Sequence, residues 1–176
     1  MQAFRPASCY IWRVITKRPR RLDGVSYLGY QRYFLTTCTG FRRAFFTDPV
    51  LVGRVIEQLF HHASLFEFAV LAYVFMPDHV HVLVEANTEG SDFPAFVKRF
   101  KQTTGFKHRQ ETGQALWQPG YHERVLRDDE ATETVVRYIL ENPIRARLAV
   151  GLGEYPFAGS AVYDLGELLT AWERQA

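Results

Sequence analysis

The chain has few cysteines, little net charge and no long apolar run, and each of these shortages excludes a class of protein. Its 176 residues include only Cys9 and Cys38, too few for a disulfide framework or a cysteine-based zinc site. No apolar stretch approaches the roughly 20 residues of a membrane-spanning helix. The formal net charge is +2, so binding of nucleic acid would depend on where the cations lie. These features favour a cytoplasmic protein.

The composition predicts a folded protein of about one domain. Hydrophobic residues make up 47% of the chain and aromatic residues 15%, which is typical of a globular core. The basic cluster from Lys17 to Arg21 indicates a flexible leader. We predict a leader over 1–29, a domain over 30–160 and a C-terminal tail over 161–176.

Hydrophobic periodicity predicts an α+β fold. The order of elements is β, α, β, β, α, β, α with a central hairpin, which indicates a ferredoxin-like antiparallel sheet covered by helices. The predicted strands are Tyr30–Thr39, Phe66–Phe75, one that begins at His79, and Tyr121–Leu126; the predicted helices run from Pro49 to about Ala63, from Ser91 to about Arg109, and from Asp128 to Leu140.

Two histidines stand one residue apart at the start of the third predicted strand. Because a strand alternates faces, His79 and His81 point the same way, while Val80, Val82 and Val84 point to the core. Two neutral imidazoles can hold a divalent cation. The alternative is a His-x-His sequence that is merely exposed at the surface.

The last predicted helix carries Tyr138 and Asn142 four residues apart, on one face. A phenol is a poor nucleophile at neutral pH unless a nearby cation stabilises its developing charge. His79, His81 and the amide oxygen of Asn142 would form a three-point site for Mg²⁺ or Mn²⁺. The alternatives are a half-buried packing tyrosine and an asparagine that caps the helix.

Three motifs resemble a known family. His79-Val80-His81 has the His-hydrophobic-His form of the HUH single-strand nucleases, and the segment from Tyr138 to Pro143 is similar to the tyrosine helix of their single-tyrosine transposases. Together with the segments from Tyr73 to His81 and from Trp117 to Arg124, they resemble the REP-associated tyrosine transposases. The resemblance extends from Tyr30 to Phe157.

This resemblance implies a metal-dependent endonuclease and strand transferase that acts on single-stranded DNA next to palindromic hairpins. His79 and His81 would be metal ligands, with Asn142 in the third-ligand position. Tyr138 would attack a DNA phosphate, forming a 5′-phosphotyrosine and freeing a 3′-OH. Some relatives build the site from two subunits, so the active unit is expected to be a monomer or a homodimer.

Basic and aromatic side chains are candidates for contact with DNA. Phosphates would meet cations, and unpaired bases would stack on an aromatic ring. The alternatives are a solvated helix face for the cations and a core position for the ring. The candidates are Lys98, Arg99, Lys101, Lys107, Arg109, Arg124, Arg127, Arg137 and Trp117.

Two rival functions remain. A descendant could bind DNA hairpins without cleaving them, although all four site residues are present. A phosphohydrolase could use a histidine cluster directly, but that chemistry needs a further histidine at close spacing, and position 83 is leucine.

Overall fold

The structure is a computed structural model that describes residues 27–126 and 132–174. Residues 1–26, which hold most of the predicted leader, and Arg127 and the start of the third predicted helix lie outside this range. The strands are β1 (Arg32–Cys38), β2 (Phe68–Met76), β3 (His79–Ala86), β4 (His122–Leu126) and β5 (Ala158–Gly159); the helices are α1 (Pro49–Leu65), α2 (Phe93–Thr112), α3 (Thr132–Leu140), α4 (Asn142–Arg145) and α5 (Leu165–Glu173).

The five strands form one antiparallel sheet in the order β4-β1-β3-β2-β5. A two-residue turn at Pro77 and Asp78 joins β2 to β3 and pairs Met76 with His79. The first four strands and the two helices between them have the ferredoxin-like arrangement, so the predicted fold class is confirmed.

Local signals explain where the two long helices begin. Asp48 caps α1 by accepting a hydrogen bond from the backbone N–H of Val50, and Pro49 occupies the first helical position. Asp92 caps α2 in the same way through the N–H of Ala95. Gly113 ends α2 in the left-handed conformation, at φ +71°.

Helices α1 and α2 cover one face of the sheet and enclose the larger core. The valines of β3 at positions 80, 82 and 84 point into this core, as predicted. The same core holds the inward face of α2, through Phe93, Phe96 and Phe100. The histidine face of β3 is therefore the opposite one.

The second face is covered by α3 and by the C-terminal part of the chain. The apolar side of α3 packs there against Leu83 and Trp172. Trp172 of α5, within the predicted tail, is only 4% exposed, so this part of the tail packs on the second core. Tyr27 also packs on the larger core, so the folded part begins before the predicted boundary at residue 30.

Within the described residues, no helix is long and apolar enough to cross a membrane.

The turn after β1 requires glycine at position 40. A Cβ there would collide with the backbone oxygen of Ala115, and the Gly40 N–H already donates to the Leu116 carbonyl at 2.8 Å. We predict that Gly40→Ala lowers the free energy of unfolding by about 1–3 kcal/mol, because a backbone atom must move to admit the methyl group. Urea unfolding measures this change.

The matched control is Gly53→Ala in the exposed part of α1, where an added Cβ meets nothing within 4 Å. This substitution should stabilise the protein by about 0.5–1 kcal/mol, because alanine loses less conformational entropy in a helix. Equal effects of the two substitutions would contradict the role assigned to Gly40.

Candidate active site

His79 and His81 lie on the central strand of the sheet. Pairing of β3 with β1 places Cys38 opposite His79 and Thr36 opposite His81. The two imidazole centroids are 4.8 Å apart, with the rings nearly perpendicular. The prediction that both rings share one face of the strand is confirmed.

Each imidazole is oriented by a hydrogen bond at Nδ1. His79 Nδ1 lies 2.7 Å from Oδ1 of Asp78, and His81 Nδ1 lies 2.8 Å from Oγ1 of Thr36. A partner at one ring nitrogen orients the ring and leaves the other nitrogen as the candidate metal-binding atom. For both histidines that atom is Nε2.

The His81 ring is buried, with only 4% of the residue exposed, so the alternative of a surface histidine fails for it. Its ring stacks on Phe34, at a centroid distance of 5.3 Å. Burial, together with the positive charges of His79, Arg145 and Arg42, holds the pKa of His81 well below its ordinary value. The imidazole is therefore neutral at pH 7, which is the state that binds a cation.

Charged contacts from Arg42 through Asp78 orient His79. Arg42 Nε lies 2.8 Å from Oδ2 of Asp78, and Arg42 Nη1 donates to Sγ of Cys38 at 3.0 Å. Burial alone would raise the pKa of Asp78, but the hydrogen bond and charge of His79 and the charge of Arg42 bring that pKa below its ordinary value. Asp78 is therefore an ionised carboxylate with one oxygen on Arg42 and the other on His79.

Tyr138 reaches the histidines from α3 within the same chain. Its ring centroid lies 5.9 Å from that of His81 and 6.0 Å from that of Phe34. The helix is held in place by its apolar side, which is buried in the second core. One chain thus brings the candidate nucleophile and the histidine pair together.

Arg145 and Asn142 surround Tyr138. The Arg145 guanidinium lies over the phenol ring, 4.4 Å from its centroid, and also donates to the Tyr138 carbonyl. Asn142 Nδ2 donates to the same carbonyl at 2.9 Å. Burial raises the pKa of Tyr138, while the charge of Arg145 and a hydrogen bond with the Asn142 side chain lower it in part. The phenol is protonated at neutral pH.

Among residues 27–126 and 132–174, no group of three or more histidine, cysteine or acidic side chains is placed to hold a metal ion. A cation on the two Nε2 atoms would therefore take a further protein ligand of another kind. Because Asn142 uses Nδ2 as a donor, Oδ1 is the atom through which its amide would coordinate a cation.

Helix α2 does not lie on the histidine face. Its buried side packs into the larger core, on the other side of the sheet. DNA that touched both the histidines and α2 would have to pass around the edge of the sheet. The exposed cations of α2 are Lys98, Arg99, Lys107 and Arg109.

Lys101 and Trp117 have structural roles instead of the predicted DNA contacts. The Lys101 ammonium donates to Oγ1 of Thr37 at 2.9 Å and to the carbonyls of Gln118 and Gly120. Trp117 is only 9% exposed, so it cannot offer a face to a base. Its Nε1 donates to a buried hydroxyl of α2, which anchors the ring in the larger core.

Arg124 lies on the histidine face, because β4 pairs it with Phe34. The same pairing places His122 opposite Thr36, and thus in one row with His81 across three strands. Arg137 lies on α3 and forms an ion pair with Glu141 at 2.7 Å. Of the predicted DNA-binding cations outside α2 that the structure describes, Arg124 is the one that strand pairing aligns with the histidine site.

Sequence reasoning missed the residues that orient the site. Thr36 and Arg42 become visible only when the pairing of β1 with β3 is known. Asp78 could have been found from the sequence, because an acidic residue directly before a candidate ligand is a usual orienting partner. Arg145 could also have been found from the sequence, because it follows Tyr138 by seven residues, which is two helical turns.

Comparison with one solved structure supports the fold. A REP-associated tyrosine transposase bound to a REP hairpin superposes with a TM-score of 0.65, at 20% identity, over 81% of each chain. A putative transposase from Deinococcus radiodurans is 26% identical and covers 70% of this chain and 97% of its own, with a TM-score of 0.47.

Sequence comparison is more decisive. An uncharacterized protein from Haemophilus influenzae is 22% identical over 159 residues, which cover 73% of this chain and 88% of that protein. The model of the family described as IS200-like transposases matches residues 29–142, more than half of the chain. That match includes both histidines, the tyrosine and the asparagine. The chain therefore belongs to the family of IS200-like transposases.

Proposed function

We propose that this transposase cleaves and rejoins single-stranded DNA through a covalent bond to Tyr138. The observation that carries the proposal is the 5.9 Å between the ring centroids of Tyr138 and His81 within one chain. A nucleophile beside a pair of oriented imidazoles is the arrangement that metal-assisted phosphoryl transfer needs. The complete set in one chain supports activity as a monomer, or as a homodimer of two complete sites.

The residues present fit a divalent cation, Mg²⁺ or Mn²⁺. Both Nδ1 atoms are occupied by orienting partners, so the Nε2 atoms of His79 and His81 would hold the ion together with Oδ1 of Asn142. Imidazole favours Mn²⁺ over Mg²⁺ in such a mixed site. When bound, the ion supplies positive charge that makes the phosphorus more electrophilic and offsets charge in the transition state.

The chain's own residues account for the rest of the reaction. Tyr138 Oη loses its proton and forms a bond to phosphorus, while the bond from phosphorus to the 3′ oxygen breaks and that oxygen takes up a proton. The products are a 5′-phosphotyrosine and a free 3′-OH. Because one ester replaces another, a second 3′-OH can reverse the step and join a new strand.

Arg145 lowers the barrier to forming the phenolate. The burial of Tyr138 works against ionisation, and the guanidinium 4.4 Å from the ring centroid works in its favour. An ion pair with Glu141 at 3.1 Å keeps Arg145 in this position. Arg145 therefore positions and activates the nucleophile.

The substrate we propose is single-stranded DNA next to a palindromic, REP-like hairpin, in DNA transposition or in the spread of such repeats. The relative bound to a REP hairpin shares this fold, and Arg124 supplies a cation on the histidine face. The exposed cations of α2 would contact a hairpin stem that passes around the sheet edge.

We expect Tyr138→Phe to abolish covalent attachment of the protein to DNA, since the attacking oxygen is gone. The measurement uses Mn²⁺ and an end-labelled single strand that carries a palindromic repeat, and detects an adduct that resists denaturant. Tyr163→Phe, which removes an exposed hydroxyl elsewhere, is the control and should leave the adduct unchanged. An adduct that persists in Tyr138→Phe would sink the mechanism, and hairpin binding without any adduct would favour a non-cleaving protein.

Asp78→Asn should weaken Mn²⁺ binding by about tenfold or more, because a neutral amide orients His79 less well than a carboxylate does. Calorimetric titration of Mn²⁺ measures the affinity. The control is Glu85→Gln on the same strand face, where the carboxylate pairs with Arg32 at 3.9 Å. Unchanged affinity in Asp78→Asn would contradict the orienting role.

Arg145→Gln should slow adduct formation by roughly threefold to thirtyfold, the worth of one cation–π contact. Hairpin binding should not change, and Arg145→Lys should restore part of the rate because it restores the charge. Arg147→Gln, an exposed arginine without this ring contact, is the matched control. Equal rates for the two glutamine variants would refute the role of Arg145.

A further inference from the structure

Phe41 is a large apolar side chain in an exposed position. It is 75% exposed and lies in the short turn Gly40–Arg42 directly after β1. Phe41 and Arg42 both have left-handed backbones, with φ +54° and +58°. Two consecutive residues other than glycine in this region are unfavourable, and such strain is kept where the surrounding structure enforces it.

Hydrogen bonds on both sides of the turn enforce this conformation. The Thr39 N–H donates to the Asp78 carbonyl at 2.9 Å, and the Thr39 hydroxyl donates to the Arg43 carbonyl at 2.7 Å. On the other side, the Gly40 N–H is bound to Leu116. The Phe41 ring is therefore exposed to solvent on a turn whose backbone is fixed by hydrogen bonds.

The turn is built into the histidine site. Cys38, three residues before Phe41, pairs with His79 across the strands. Arg42, the next residue, holds the carboxylate of Asp78, which in turn orients His79. The Phe41 backbone is thus at most about 11 Å from that of Cys38, the reach of three residues.

The charge around Phe41 favours a nucleic acid over an apolar partner. The residues that follow it are Arg42 and Arg43, and Arg43 is exposed and bound to the Gln114 side chain. Arg42 is held in its ion pair with Asp78, so Arg43 is the exposed cation beside the ring, and an exposed ring next to such a cation fits a strand that carries both phosphates and unpaired bases.

We propose that Phe41 is a stacking platform for one unpaired base close to the scissile phosphate. This proposal rests on the proposed function, because the scissile phosphate is defined by Tyr138 and the histidines. Stacking accepts any base, so Phe41 would fix the position of the strand and not its sequence. Trp117, which the sequence indicated for this role, is buried.

The test measures binding of single strands by Tyr138→Phe protein, so that cleavage does not enter the result. Strands that carry the palindromic repeat are compared with strands in which each base near the hairpin is removed in turn to leave an abasic site. We expect Phe41→Ala to weaken binding about fivefold to a hundredfold, the worth of one stacked base. One abasic position should cost the Phe41 protein a similar factor and cost Phe41→Ala nothing.

The matched control is Tyr30→Ala, which removes a ring that is 70% exposed just before β1, at the opposite end of that strand from Phe41. It should bind every strand as the parent does. If no abasic position distinguishes Phe41→Ala from its parent, or if no single strand binds, the platform is refuted. A change in sedimentation alone would make Phe41 a contact between protein chains, which also refutes it.

Failure of this proposal is distinguishable from failure of the proposed function. An adduct at Tyr138 with no effect of Phe41 leaves the cleavage chemistry intact and removes the platform. A position-specific effect of Phe41 without any adduct in the wild-type protein keeps the platform and removes cleavage.

Discussion

The register between β1 and β3 is the constraint on which the rest of the site depends. It places Thr36 opposite His81, and the tight turn at Pro77 and Asp78 delivers a carboxylate to His79. A slip of one residue would turn the histidines into the larger core and the valines toward α3. The hydrophobic alternation of β3 therefore sets the direction of the two imidazoles as well as the packing of the core.

Burial on both faces of the sheet gives the site its properties. His81 is enclosed by Phe34 and the second core, and a buried imidazole without a partner would be costly. The Thr36 hydroxyl offsets this cost with a hydrogen bond to Nδ1, which does not involve Nε2. The same enclosure disfavours ionisation of Tyr138, which is why the nearby charge of Arg145 matters.

Local signals in the sequence were enough to predict the first seven elements and the histidine face, and the resemblance of the motifs predicted the family. Periodicity and caps act over a few residues, so they are visible in a single chain. The structure of the C-terminal region was not predicted, because β5 has only two residues and α5 is placed by the packing of Trp172 in a core formed by distant segments. The sequence left the burial of Trp117 as an open alternative and gave no sign of the partners of Lys101, since both depend on contacts between distant segments.

The histidine pair and the tyrosine helix are held in place by different contacts. The histidines depend on the strained turn that holds Arg42 on Asp78. The tyrosine helix depends on α5, where Trp172 donates to Glu133 at 2.7 Å and its ring lies beneath Arg137. The halves meet where the Tyr138 ring contacts His81 and Phe34. Because ring contacts have less directional restraint than hydrogen bonds, the distance between Tyr138 and the histidines is the part of the site with the least directional restraint.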